Sequence, residues 1–347
     1  MRRLAPLLLL AAAACYERGH AASIDAAPGT NDGSDAPLVD AAIDAPAIDM
    51  AIDAQTDAPM PPTAHHRYVL DSLLVPLNNT QARDYGLDLD NDGIVDNQLG
   101  MVMGTLTAQG FDLQASTTAQ VDRGQLLELF DLGAASYTSE PNATFAAYAG
   151  ASPMPAPCAG ANDATCRRHL TGSGTFAIAA ASPINPALTG SIVAGSMTTA
   201  PGHLLAPITL FTVAGAPLYV TLVGAKVQVS MASDARIVQL KLTGGITQAD
   251  IDGTLIPAMR EGIEAEVRRD CTMLANPPTC GCPSGSTGKT MLDLFDTAPK
   301  NCTVSVQEVR DNSLIQSLLA PDVTLEGQRC LSYGVRATAV AAAFVGP

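Results

Sequence analysis

A mainly antiparallel β fold, sandwich or barrel-like, with a few helices in an α+β arrangement, is predicted by three features of this 347-residue chain. Small apolar residues, Gly and Thr dominate from residue 65 onward, a mix suited to many short strands joined by tight turns. Lys226-Val227-Gln228-Val229-Ser230-Met231 alternates apolar and polar residues at period two, the mark of a half-buried strand. Turn signals such as Gly215-Ala216-Pro217 and Ser233-Asp234 separate neighbouring runs at hairpin distances.

The chain opens on a targeting segment. Met1-Arg2-Arg3 supplies positive charge, and residues 4–14 form an apolar stretch too short to span a bilayer as a mature helix, so 1–14 reads as a signal peptide. Ala12-Ala13-Ala14-Cys15 resembles a bacterial lipobox, with Ala12 where leucine is more usual. That resemblance implies cleavage before Cys15 and acylation of that cysteine, hence a membrane partner reached through lipid. Each buried methylene contributes about 0.8 kcal/mol, so several chains together anchor stably. Tyr16 in place of Asp, by resemblance to Gram-negative sorting signals, points to the outer membrane or cell surface. The rival reading is an ordinary signal peptide that releases the protein.

Residues 15–64 read as a lipidated cysteine followed by a disordered tether. Asp-Ala-Pro recurs at 35–37, 44–46 and 57–59, and 19–64 holds no Lys, Arg or aromatic residue. Proline stops helix propagation, and self-repelling charge with little apolar bulk leaves ordering entropy without compensation. The segment therefore reads as a spacer.

Residues 65–347 form the β-rich exported domain, long enough for a sizeable core. Strand-like runs lie at 69–76, 125–132, 144–148, 174–180, 191–198, 208–213, 218–223, 226–231 and 237–242. A Cys-rich part, about 247–347, is more helical. Thr247-x-x-Asp250 is a capping box with Ile246 stapled to Ile251. Ile251, Leu255, Met259, Ile263 and Val267 then recur on one face, with Pro257 set to kink or split the helix. Arg260, Glu261, Glu264, Arg268 and Arg269 make its solvent face. A second box, Ser305-x-x-Glu308, starts a helix running toward Leu319.

Apart from Cys15, seven cysteines remain. Cys158 and Cys166 bracket a small loop and should close it. Cys271, Cys280, Cys282 and Cys302 should form two bridges, with Cys280 and Cys282 too close in sequence to bond each other. Cys330, at a strand start, is left as a buried free thiol. Export past the reducing cytosol favours disulfides over the rival, a zinc site at Cys280-Gly281-Cys282.

Asp88-Leu89-Asp90-Asn91-Asp92-Gly93-Ile94-Val95-Asp96 carries the chemistry. Asp88, Asp90, Asp92 and Asp96 occupy loop positions 1, 3, 5 and 9, and the carbonyl of Ile94 stands at position 7. Alternate side chains turn inward, and a hard cation such as Ca2+ takes six to eight oxygens. The stretch resembles the EF-hand loop, and equally the calcium loops of dockerins and thrombospondin type 3 repeats. It departs at position 12, where Leu99 replaces the bidentate Glu; Asp84 and Asp112 are the nearest acids in sequence able to complete the set. The rival reading is a solvated acidic turn.

Other chemistry is unsupported. The folded part has 16 Lys+Arg against 25 Asp+Glu, which excludes nucleic acid as a natural partner. Tryptophan is absent, and neither G-x-S-x-G nor H-E-x-x-H occurs. Residues 281–290 end like a P-loop but have Pro283 where its first glycine belongs. His65 and His66 read as solvated residues at the tether junction, and Arg167-Arg168-His169 as an exposed loop face. The chain thus reads as a non-enzymatic, lipid-anchored envelope or surface protein with a structural calcium site, its protein or glycan partner unspecified. The alternative is a secreted-type, calcium-stabilised hydrolase whose site no motif marks.

Overall fold

The computed structural model describes residues 64–347 except 109–112, 161, 164, 214–215, 234–235 and 273–279. The signal segment 1–14, Cys15 and the tether to residue 63 lie outside the described residues, as do Asp112, Gly215 and Asp234. The first elements are β1 (His65–Leu74), α1 (Asn79–Tyr85), α2 (Gln98–Ala108), α3 (Leu113–Asp122), β2 (Glu128–Gly133), β3 (Ser139–Met154) and β4 (Gly174–Ile178). Then come β5 (Leu188–Val193), β6 (Ser196–Thr199), β7 (Gly202–Val213), β8 (Ala216–Ser233), β9 (Arg236–Thr247), α4 (Gln248–Asp250) and α5 (Ile256–Asp270). The last are α6 (Thr287–Phe295), α7 (Val306–Asp311), α8 (Ser313–Leu318), β10 (Val323–Leu325) and β11 (Gln328–Ala343).

Eight of these strands close an antiparallel barrel in the order β1-β2-β3-β5-β6-β8-β9-β11, with β11 returning to β1. Closure removes the unpaired edges that a β-sheet otherwise exposes. Three strands are long enough to serve more than two neighbours. β8 pairs with β7 along its first half and with β6 along its second, and Gly224 (φ +56°) lies at the bulge between the halves. The runs 218–223 and 226–231 are therefore one strand, because the bulge bends the chain without ending the ladder. β4 lies antiparallel to the end of β3 and parallel to the end of β11.

The barrel interior is a packed core rather than a pore. Tyr68, Phe130, Phe145, Leu132, Met197, Val227, Val229, Leu240, Leu242 and Val335 are fully buried in one cluster. Each large apolar side chain there contributes roughly 1.5–3 kcal/mol. Val227 and Val229 face in while Lys226, Gln228 and Ser230 face out, the period-two pattern expected of this strand.

Two expected elements are divided. Residues 191–198 fold into the β5–β6 hairpin, because Ala194 (φ +49°) and Gly195 (φ +80°) adopt the two positive dihedrals of a tight hairpin turn. The helix from Ser305 has both halves of its capping box, but it stops at Asn312, whose side chain accepts from the Leu314 and Ile315 N–H groups and starts α8. The Thr247 cap is present, and Ile251–Leu255 widens into a π-helical stretch before α5. Pro257 then lies in the first turn of α5, where its missing N–H costs little.

Glu264 corrects the expected solvent face of α5. It is buried, and its carboxylate accepts from Val304 N at 2.6 Å while Arg260 Nε donates to Val304 O at 3.0 Å. The segment after Cys302 lies across the helix, so the two side chains satisfy both backbone polar groups of the buried Val304.

Disulfides join Cys158 to Cys166, Cys271 to Cys282 and Cys280 to Cys302, and Cys330 is a buried free thiol. Cys280 and Cys282 are therefore no zinc ligands. Three disulfides place this domain in an oxidising compartment. Among the described residues no helix is long and apolar enough to cross a membrane.

Candidate metal centre

The loop Asp88–Asp96 is held shut at its base and tied to the barrel at its sides. Asp96 N donates to Leu87 O at 3.0 Å in an isolated antiparallel bridge. Within the loop the carboxylates organise the backbone. Asp88 accepts from Asn91 N at 2.6 Å and from Gly93 N at 3.0 Å, and Asp96 accepts from Leu89 N at 2.8 Å. Gly93 has φ +86°, a left-handed conformation that glycine adopts without strain and that turns the loop back on itself.

Asp88, Asp90 and Asp96 each place a carboxylate oxygen within 4.8 Å of the others, an arrangement able to hold a metal ion. Asp92 stands outside that group; its Oδ1 accepts from Ile94 N at 2.7 Å. Ile94 turns its side chain to solvent, 64% exposed. Burial is the largest cause that pushes the Asp96 carboxyl up to about 6. The charges of Asp90, Asp322 and Asp92 add to it, against the Leu89 N–H, which lowers it. Gathering negative charge in one place is what a divalent cation offsets.

Position 12 supplies no oxygen. Leu99 is fully buried in the core, at the start of α2, so an EF-hand ligand set is not completed there. Asp84 does not join either: it faces Lys241 at 4.0 Å and Arg336 at 3.5 Å on the barrel wall. Asp322, just before β10, is the distant acid whose charge reaches Asp96. Its carboxylate also accepts from Ser332 N (2.7 Å) and Ser332 Oγ (2.6 Å). Nothing local marks it, because it lies more than two hundred residues downstream.

Family models, curated proteins and solved structures yield no match to this chain.

Three side chains with no part in the site as read from sequence alone, Leu89, Lys226 and Asn97, seat the loop. Leu89 is 3% exposed and packs with Val223, Val323, Leu325 and Cys330 in a second small core. Lys226 on β8 donates to Asp88 O at 2.7 Å and to Asn91 Oδ1 at 3.2 Å. Asn97, next to Asp96, donates to Ala82 O and Gly334 O and accepts from Gly100 N and Gly334 N, all within 2.8–2.9 Å. The acidic loop is thus braced by β8, β11 and α1.

The other candidate residues have structural partners. His65 Nδ1 lies 2.9 Å from Asp131 Oδ1, and His66 meets Ala134 O at 3.0 Å and the Tyr137 hydroxyl. Both lie at the start of β1, which pairs with β2; His65 is solvated as expected, its side chain 55% exposed, while His66 is half-buried. His169 is fully buried instead of lining an exposed face, and burial lowers its pKa. Arg167 pairs with Asp122 at 2.5 Å. The P-loop-like stretch is the capped start of α6, with Lys289 Nζ held by Asp293 at 2.7 Å.

Proposed function

We propose that this chain is a lipid-anchored, non-enzymatic envelope or surface protein whose barrel domain is stapled by a structural calcium ion. The observation that carries the reading is the convergence of Asp88, Asp90 and Asp96 in a loop braced by the barrel. Oxygen-only donors suit a hard cation such as calcium, whose flexible geometry tolerates an irregular ligand set. A site of millimolar class would stay filled there and serve rigidity rather than signalling. Three disulfides support export. The Ala12-Ala13-Ala14-Cys15 stretch supports acylation at Cys15 and an outer-membrane or cell-surface address.

Thermal melts in calcium and in chelator test the site. With calcium at about 100 times Kd, binding to the folded state alone contributes about 2.7 kcal/mol. For a domain of this size that raises Tm by roughly 5 °C. Asp90→Ala should remove the difference. Melts that coincide in calcium and chelator, or a full response retained by Asp90→Ala, refute the site.

A further inference from the structure

Glu128 is the one carboxylate of β2 that faces the barrel interior. It is 0% exposed, in a strand whose six residues are all buried. Side chains two apart on a strand share a face, so Glu128 points the same way as Phe130 and Leu132, both fully buried. Opposite it on β3 stands Ala149, and Tyr68 of β1 is register partner to Phe130 on the same face.

Both carboxylate oxygens lack a hydrogen-bond partner among the described residues. Among the described residues its charge reaches the phenols of Tyr219 on β8 and Tyr333 on β11, and Tyr68 of β1 shares its face of the wall. Tyr219 already donates to Leu127 O at 2.8 Å and Tyr333 to Pro207 O at 2.7 Å. Among the described residues no cation offsets its burial, which holds the carboxyl well above the ordinary range. An unpaired carboxylate inside an apolar core is among the costliest groups a fold can hold, whereas a neutral carboxyl is tolerated.

We propose that Glu128 is a protonation switch in the barrel wall: neutral, it lets β2 close the barrel; ionised, it forces β2 away from its neighbours. The step releases one proton to water and needs no other reactant. The sign follows from linkage. In the unfolded chain the carboxyl ionises near its ordinary value of about 4.3, while the folded chain keeps the proton. The barrel therefore loses stability as pH rises above that value and regains it on acidification. The switch is independent of the calcium loop.

Denaturant unfolding of the full chain and of Glu128→Gln, both calcium-saturated, from pH 5 to 9 is the test. Gln keeps the shape and cannot ionise. The folding constant of the native chain should fall tenfold per pH unit relative to the variant, until the folded carboxyl itself ionises. A ratio that stays flat overturns the proposal. Should Glu128→Gln not fold, infrared spectroscopy of the native chain at pH 7 decides. The carbonyl band of a protonated carboxyl supports the switch, and its absence overturns it.

Discussion

Asn97→Ala is the substitution by which the bracing of the loop can be weighed. The side chain is 1% exposed and makes four hydrogen bonds, joining α1 through Ala82, α2 through Gly100 and β11 through Gly334 on both its N–H and its carbonyl. Alanine leaves those four backbone groups behind in buried positions. A net hydrogen bond is worth about 1 kcal/mol, and a buried group left unpaired costs about 1–3. Water and local relaxation recover part of this, so the expected loss is roughly 4 kcal/mol, beyond the common range for a single substitution. The assay is urea unfolding followed by far-UV circular dichroism with calcium present, since the chain has no tryptophan. The midpoint should fall with little change in slope. Because Asn97 adjoins Asp96, the calcium-induced rise in Tm should shrink as well. A loss under about 1 kcal/mol, with the calcium response intact, would refute the claim that this residue ties the loop to the barrel.

Leu99→Glu, which restores the usual acid at position 12, should cost roughly 3–5 kcal/mol, because it places an unpaired carboxylate in the core. A variant that melts like the native protein and binds calcium more tightly would show that the core argument fails. Thiol labelling of unreduced protein carrying Cys15→Ser should find Cys330 inert in the native state and reactive after denaturation. Labelling of a second cysteine would contradict the three disulfides. Intact-mass analysis of membrane-extracted protein should show acyl mass on a chain starting at Cys15; an unacylated chain rejects the anchor.

By itself the sequence determined what acts over short distances. Period-two alternation marked the second half of β8, because burial of one face leaves its trace in successive residues. Thr247 and Ser305 announced their helices, because a cap needs only a hydroxyl and an N–H three residues on. Spacing paired Cys158 with Cys166 and kept Cys280 from Cys282, while the folded chain chose Cys271–Cys282 and Cys280–Cys302; the acidic loop followed from the ligand alternation of calcium sites. Only the tertiary structure decided which strand meets which. β1 closes the barrel against β11, more than two hundred and fifty residues away, and that closure sets Gly334 against Asn97 and Lys226 against the Asp88 carbonyl. It also turned Glu264 and Glu128 inward, although each reads as an ordinary acid in its own segment. Strand partner and register are collective choices of the whole core, so no local run of residues encodes them.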